Sequence, residues 1–149
     1  MKTKLKIWMN VLLGAFVGML GYGCDDSSRS GMYGTPTGDL VFKSHVSNEA
    51  NEPLEGVQVV QQGGWKDGAG TMYWERWADS LYTDAEGNVY KLYQGDIPLP
   101  YHKVIVNDTT GEYQSDSIIT EVKYTGGDGS WNSGRATLDV NFTLSPKDK

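Results

Sequence analysis

Apolar and polar residues alternate in short runs from Asp39 onward, and no stretch has the spacing of an amphipathic helix. Alternation with a period of two places successive side chains on opposite faces, which is typical of a half-buried β-strand. Turn-forming residues such as Gly, Asp and Asn separate the runs. The pattern predicts strands at residues 40–46, 57–62, 89–93, 101–107, 117–124 and 136–144, with a Gly-rich stretch at 63–70 and an aromatic-rich segment at 71–83.

These six runs and the aromatic-rich segment at 71–83 amount to about seven closely spaced strands, which is typical of an all-β, antiparallel β-sandwich of the immunoglobulin-like or transthyretin-like type. The composition agrees, because Gly accounts for 19 of the 149 residues and Pro for only 5, as expected for many turns joined by strands. We therefore predict one sandwich domain at residues 39–149, which is long enough to bury a core without disulfides.

The first 23 residues have the organisation of a secretory signal peptide. Lys2, Lys4 and Lys6 form a basic start, and residues 11–20 form an apolar run that is shorter than a membrane-spanning helix of about 20 residues. An uncleaved membrane anchor is the alternative. The lone Cys24 follows directly and resembles the lipidated Cys of bacterial lipoproteins, which implies a cell-envelope protein that acyl chains anchor to the outer membrane.

A flexible tether is predicted at residues 24–38, which are rich in Ser, Gly, Asp and Thr and lack an apolar period. Asp25 and Asp26 resemble the acidic tag of surface-exposed lipoproteins of Bacteroidota, and a plain solvated tether is the alternative. All 19 acidic residues follow Cys24, so the domain is more acidic than the net charge of −6 of the whole chain. An acidic domain repels phosphate backbones, and we therefore predict no nucleic-acid partner.

Two segments resemble the carboxypeptidase-regulatory-like, transthyretin-like sandwich domains. Residues 51–59, with the sequence NEPLEGVQV, resemble the first hairpin of that family. Residues 82–90, with the sequence YTDAEGNVY, resemble its characteristic tight turn and follow at the expected distance. The resemblance implies a transthyretin-like sandwich and no particular activity.

A narrower resemblance extends from Cys24 to about residue 144. Residues 32–37 (MYGTPT) and 124–131 (YTGGDGSW) are similar to the opening and to the Gly-rich C-terminal segment of the radical SAM-associated lipoproteins of Bacteroidota. This resemblance implies a lipid-anchored protein whose neighbouring gene encodes a radical SAM enzyme. That enzyme is the maturation partner that the resemblance suggests.

Trp65, Trp74 and Trp77 are the candidate ligand-binding residues, because aromatic faces bury a large area at a low cost in side-chain entropy. They would form a stacking platform for a sugar or a peptide. The alternative is structural: Trp74 and Tyr82 would point into the core while Trp65 closes a loop.

Several residues are candidate modification sites. Asp128 and Trp131 lie in the Gly-rich segment, whose backbone a modifying enzyme would reach easily, and a wide hairpin loop is the alternative. Thr109 and Ser117 each follow an Asp in the three-residue O-glycosylation pattern of Bacteroidota. Ser80 matches the same pattern but is expected within a strand, which counts against it.

No combination of residues typical of an active site is found. His45 and His102 are the only two His and belong to different predicted strands, and Cys24, the single Cys, excludes a disulfide framework or a thiolate metal cluster. Acidic and amide residues alternate at 84–88, as in a metal-binding loop, but a tight turn explains them better. We therefore predict no enzymatic activity, no metal and no cofactor.

Taken together, these features favour a non-catalytic binding or interaction module at the cell envelope. Its partner would be an envelope protein, a peptide or a glycan. The alternative function is that of a substrate that the associated radical SAM enzyme modifies. A small enzyme is the least favoured of the three, because no nucleophile with an adjacent base is visible.

Overall fold

The computed structural model describes residues 34–148, so the predictions about the signal peptide and Cys24 lie outside the described residues. Within this range the chain forms nine strands and no helix, so no helix there could cross a membrane. The strands are β1 (Thr37–Asn48), β2 (Gln58–Lys66), β3 (Met72–Trp74), β4 (Asp79–Tyr82), β5 (Asn88–Asp96), β6 (Tyr101–Asn107), β7 (Asp116–Glu121), β8 (Thr125–Gly126) and β9 (Asn132–Leu144).

The strands form two sheets, which confirms the predicted all-β sandwich. The first sheet has the order β5-β1-β9-β8, and β1 pairs antiparallel with β5 and parallel with β9. The second sheet has the order β3-β2-β6-β7, and all of its pairs are antiparallel. The short strand β4 also pairs with β2, at residues 58–61, whereas β3 pairs with residues 64–66.

The core lies between the two sheets and consists of alternate residues of the long strands. In β1, Leu40, Phe42 and Val46 are buried, whereas Lys43 between them is exposed. In β9 the same alternation runs without interruption from residue 136 to 144. The period of two therefore places one face of each strand in the core. The largest fully buried side chains are Phe42, Val46, Val59, Val104, Val106, Leu138 and Leu144.

Six of the strands confirm the predicted runs, with β6 matching its predicted bounds. The main difference is that β2 extends to Lys66, so Gly63 and Trp65 lie in a strand and not in a Gly-rich loop. The first strand begins at Thr37, inside the stretch predicted as a tether. Three short strands, β3, β4 and β8, have no separate signal in the alternating pattern, because a strand of two to four residues is too short to show a period.

A tight turn joins β4 to β5, as the sequence predicts. The Asp84 carboxylate accepts the backbone N–H of Asn88 at 2.7 Å and that of Glu86 at 3.1 Å. Gly87 has a φ of 73° and approaches the Val46 carbonyl oxygen so closely that a Cβ would lie 2.5 Å from it. The acidic side chain that resembles a metal ligand is therefore used to close the turn.

Thr83 connects this turn to the loop before β2. Its buried hydroxyl donates to the Leu54 carbonyl at 2.6 Å and accepts the Val57 backbone N–H at 2.9 Å. We expect Thr83→Val, which is similar in shape, to lower the free energy of unfolding by about 1–3 kcal/mol because one buried and one part-buried backbone group lose their partner. Urea unfolding measures this, with Thr83→Ser as the control that keeps the hydroxyl. Equal losses in the two variants would contradict the assignment.

Candidate functional site

A cleft of about 490 Å³ opens between the sheets at the edge where β4 faces β5. The inward-facing residues of β5 reach it, because Lys91 pairs with Phe42 and Tyr93 with Leu40, whose side chains face the core. The polar side chains of Lys91 and Tyr93 therefore lie on the face of β5 that points toward the core, and they line the cleft. Its lining residues are Leu40, Gln61, Gly63, Glu75, Trp77, Ala78, Asp79, Lys91, Tyr93, Asp96, Ile97, Leu99, His102 and Tyr124.

The rim of the cleft is the segment 75–78, which connects β3 to β4. Both of these strands pair with the same edge of β2, so the connection runs along the middle of that edge. Two hydrogen bonds hold it there: the Glu75 N–H donates to the Gly63 carbonyl at 2.8 Å, and the Gln62 side-chain amide donates to the Glu75 carbonyl at 2.6 Å. The backbone of Glu75 is thereby fixed at the rim of the cleft, and Trp77 follows two residues later along this segment.

The floor of the cleft depends on a glycine. Leu99 packs so closely over Gly63 that a Cβ there would lie 2.4 Å from the Leu99 Cδ1 atom. Gly63 lies on β2 two residues beyond Gln61, and the two share a face of the strand because the period of a strand is two. Leu99 therefore forms an apolar part of the cleft floor next to the polar side chain of Gln61.

A cluster of three side chains joins the two sheets. The Asp79 carboxylate of β4 forms an ion pair with the Lys91 ammonium of β5 and accepts a hydrogen bond from the Tyr93 hydroxyl at 2.8 Å. The bond from Lys91 holds the pKa of Asp79 below its usual value, although burial opposes this. Burial and the Asp79 carboxylate raise the pKa of Tyr93 far above its usual value, so Tyr93 acts as a hydrogen-bond donor. The positive charge of Lys91 is thus balanced within the cluster.

A second polar group, His102, lies behind the cleft and is only 3% exposed. Its Nε2 lies 3.0 Å from the Leu99 carbonyl oxygen, and its Nδ1 lies 2.6 Å from the Gln61 amide nitrogen. A carbonyl only accepts and an amide nitrogen only donates, so these partners assign a neutral ring that carries its proton on Nε2. Burial lowers the pKa of His102 and outweighs the opposing effect of the Leu99 carbonyl.

The remaining charges of the cleft are negative. Burial raises the pKa of Glu75, and the charge of Asp96 raises it further. Burial, with a smaller effect of Asp96, raises the pKa of Tyr124 to about 12. Within residues 34–148 neither Glu75 nor Asp96 belongs to an ion pair. A bound cation would therefore relieve the repulsion between these two carboxylates.

The three candidate Trp residues do not share one surface. Trp65 stacks on Tyr73, with ring centroids 5.8 Å apart and planes inclined by 17°. Trp74 lies on the opposite face of β3 from Tyr73, and its ring packs where a Cβ of Gly64 would lie. Trp77 is 80% exposed and is the one predicted Trp that lines the cleft. Binding by the three together stays a prediction.

The structural alternative for this segment is wrong for Tyr82, which is 59% exposed and does not point into the core. The physical reason is that Tyr82 lies opposite Gln58, on the outer face of the sheet. Trp74 is partly buried, and Trp65 pairs with Tyr73 next to the loop that joins β2 to β3.

The Gly-rich segment forms the connection between β8 and β9. The Asp128 carboxylate accepts the backbone N–H groups of Ser130, Trp131 and Asn132 at 2.9–3.0 Å, and these bonds lower its pKa. Trp131 is 51% exposed. Asp128 therefore organises the loop, while the indole ring of Trp131 remains accessible.

The candidate glycosylation residues are all exposed. Thr109 lies in the loop after β6, where its hydroxyl donates to the Gly56 carbonyl at 3.4 Å. Ser117 lies in β7, and Ser80 lies in β4, as expected for a residue within a strand. Modification at Thr109 and Ser117 stays a prediction.

Most of the cleft residues are not among the sequence candidates. One signal does point to some of them: His102 shares its alternation with Val104 and Val106, and Lys91 shares its alternation with Val89, so both are expected on a core face. The order of the strands brings these faces together at one edge, and the alternation does not predict that order.

Comparison with known proteins gives similarity in fold alone. No protein-family model and no curated protein matches the sequence. The structure is similar to 3-chlorocatechol 1,2-dioxygenase from Rhodococcus opacus 1CP, with a TM-score of 0.50, 12% identity, and coverage of 78% of this chain and 62% of that one. This chain therefore spans less than two thirds of the dioxygenase. The similarity supports the class defined by the two sheets, a β-sandwich domain.

Two further solved structures have lower TM-scores. The C-terminal domain of the shaft pilin SpaA from Lactobacillus rhamnosus GG has a TM-score of 0.46 and 10% identity, with coverage of 73% of this chain and 98% of that one. Catechol 1,2-dioxygenase from Acinetobacter radioresistens has a TM-score of 0.46 and 13% identity, with coverage of 84% and 56%.

The similarity to 3-chlorocatechol 1,2-dioxygenase corrects the prediction that the chain is not an enzyme. A dioxygenase has a similar sandwich, so the fold class gives no ground for excluding catalysis. The prediction is wrong because it was based on short sequence motifs, whereas the titratable groups of the cleft come from separate strands and loops. At 12% identity the similarity shows the fold and not the reaction.

The buried His102 predicts how stability depends on pH. Because its pKa in the folded protein lies below that of the unfolded chain, the unfolded chain takes up a proton first as the pH falls below about 6.5. The contribution of neutral His102 is thus complete above that pH and is lost as the pH falls. We expect the melting temperature to fall between about pH 7.5 and pH 5.5, and less steeply in His102→Gln. Parallel curves for the two proteins would contradict this.

Proposed function

We propose that this chain is an envelope-anchored binding module, and that its cleft takes the cationic side chain of a peptide or protein partner. The observation that carries the proposal is the pair of carboxylates, Glu75 and Asp96, in a cleft whose lysine is already paired with Asp79. An ammonium or guanidinium group supplies the positive charge that this pair lacks.

The walls of the cleft suit the rest of such a side chain. Leu99 and Ile97 provide apolar surface for an aliphatic stem, along which a long cationic side chain packs. Trp77 at the rim offers an exposed indole face, and cations are attracted to the faces of aromatic rings. A lysine or arginine side chain therefore meets apolar contact, an aromatic face and two carboxylates in one cleft.

The direct test compares two ligands that differ only at the end of the side chain. N-acetyl-lysine methylamide carries the ammonium group, and N-acetyl-norleucine methylamide has the same stem without it. Titrated into the protein and followed by NMR, the lysine probe is expected to shift the Trp77 indole signal and the amide signals of residues 75–78. The norleucine probe is expected to leave them unchanged. Equal shifts with both probes would overturn the proposal of a cation site.

Export and lipid anchoring are the second part of the proposal. They are supported by the basic start of the chain, the apolar run at residues 11–20 and the position of Cys24. The protein from its native host is expected to have the mass of residues 24–149 plus acyl chains. Full-length, lipid-free protein in that host would contradict the anchoring.

A substrate role for the associated radical SAM enzyme is a second candidate function. It is supported by the sequence resemblance of residues 124–131 and by the exposed indole of Trp131. The same mass measurement, followed by peptide mapping, tests it. A stable added mass at residues 124–134 is expected if the chain is a substrate, and unmodified peptides would exclude the role.

A further inference from the structure

The strand β7 (Asp116–Glu121) forms one edge of the second sheet. It pairs with β6 on one side and has no partner strand on the other among the residues that the structure describes. Five of its six residues are exposed, and Thr120 is the partly buried one. Open strand edges carry unpaired backbone groups and serve as templates for a further strand.

The pairing with β6 shows which backbone groups face outward. The Val122 N–H donates to the Pro100 carbonyl at 2.8 Å, so these two residues form a hydrogen-bonded pair in the same register as the pairs along β7. Antiparallel partners alternate between bonded and non-bonded pairs, so Thr120 and Ile118 bond to β6. The backbone groups of Ser117, Ile119 and Glu121 therefore point away from the sheet.

One of these outward groups already has a partner. The Ser117 N–H donates to the Asp116 side chain at 2.7 Å, which is consistent with its outward direction. The N–H groups of Ile119 and Glu121 and the carbonyls of all three outward residues remain for a neighbouring strand. Five hydrogen-bonding groups are thus presented along one short edge.

This edge has less protection than the edge strand β5 of the first sheet, because its one charge on the inner face, Asp116, lies at the end of the strand, opposite Val106. On β5, an edge strand of the first sheet, Lys91 points inward and the register shifts opposite Gly38 and Leu40. Inward charges and bulges of this kind prevent edge pairing. The β7 sequence, DSIITE, has neither Pro nor Lys, and its register with β6 is regular. Ile118 and Ile119 are 43% and 55% exposed, on opposite faces of the strand.

We propose that β7 is a docking edge, at which an extended segment of a partner protein adds a strand to the second sheet. The partner segment has apolar residues in its centre and a basic residue at each end. The charges on β7 support this choice, because Asp116 and Glu121 lie at its two ends with the apolar pair between them. Opposite charges across neighbouring strands stabilise pairing, and main-chain bonds provide the affinity.

A second copy of this chain fits the edge less well. Antiparallel pairing of two β7 strands centred on Ile119 places Asp116 of one copy opposite Val122 of the other, and Glu121 opposite Ser117. A second copy therefore supplies no opposite charge to either carboxylate, whereas a segment with a basic residue at each end supplies one to both. Charge complementarity therefore favours a basic partner over self-association.

The test uses two synthetic peptides with the same alternating Thr-Val centre, one with Lys at both ends and one with Glu at both ends. With the Lys peptide, we expect amide exchange to slow at Ile119 and Glu121 and to stay unchanged at Ile118 and Thr120. The Lys peptide is expected to bind about tenfold more tightly than the Glu peptide. Equal binding, or no protection at Ile119 and Glu121, would overturn the proposal.

Two variants test whether the peptide binds at the outer edge of β7. Ile119→Pro removes an outward N–H without removing a bond to β6, so it is expected to abolish peptide binding. The double variant Asp116→Lys/Glu121→Lys keeps the backbone and is expected to reverse the preference toward the Glu peptide. It decides the matter even if Ile119→Pro does not fold, since an unchanged preference would overturn the proposal. Protection of Ile119 that rises with protein concentration and without peptide would instead identify a second copy as the occupant.

Discussion

Replacing Phe42 with Ala is expected to lower the free energy of unfolding by about 3–5 kcal/mol, the range observed for large-to-small substitutions of buried aromatic residues. Phe42 is fully buried in the middle of β1, between Lys91 of β5 and Leu138 of β9. Both neighbours belong to paired strands whose backbones are fixed by hydrogen bonds. The sheet therefore cannot collapse around the cavity, and the full cost is expected.

Urea unfolding measures this loss, with Val41→Ala as the matched control. Val41 is the next residue on the same strand, but it is only partly buried and faces the other side of the first sheet. Its truncation is expected to cost well under half as much. A loss for Phe42→Ala as small as that for Val41→Ala would contradict the placement of the core.

Replacing Glu75 with Gln is expected to weaken binding of the lysine probe at least about tenfold, because a hydrogen bond between charged groups contributes about 1.5–3 kcal/mol. Gln has nearly the same shape and can still accept a hydrogen bond, so the change removes the charge and little else. The hydrogen bonds that fix the rim use the backbone of Glu75, and the substitution leaves them in place.

The pH dependence of binding identifies the group that titrates. The pKa of Glu75 in the free protein is raised, so a fall in pH through that value removes its charge before that of an ordinary carboxyl. Affinity for the probe is therefore expected to be complete above the pKa of Glu75 and to be lost as the pH falls through it. In Glu75→Gln the affinity is expected to be low and nearly independent of pH over the same range.

The matched control for this variant is Glu86→Gln. Glu86 is an exposed residue in the turn between β4 and β5, and it does not line the cleft. Its substitution changes the net charge by the same amount, so it reports on long-range electrostatics alone. Similar losses of affinity in the two variants would mean that the cleft is not the site of binding.

The strands could be predicted from the sequence wherever the alternation is long. In β6 and β9 Val104, Val106, Leu138 and Val140 recur at every second position, and burial of one face requires that period. In β3 three residues pair only with the end of β2, where neither face is fully buried. Such a short strand is held by its partner and not by its own sequence pattern, so the sequence alone does not specify it.

The cleft could be predicted only in part. Trp77 is a sequence candidate that does line it, and the alternation of β6 places His102 on the core face. The contact between Asp79 and Lys91 is different, because it joins strands of two sheets. It depends on how the sheets stack and on the connection that carries Glu75 along β2. Neither property has a local signature in the chain.

Intermolecular nuclear Overhauser effects between N-acetyl-lysine methylamide and the protein would locate a cationic side chain in the cleft between β4 and β5. We expect contacts from the methylene group beside the ammonium to the rings of Trp77 and Tyr124, both of which line the cleft. Contacts confined to the stacked pair Trp65 and Tyr73, outside the cleft, would contradict this expectation.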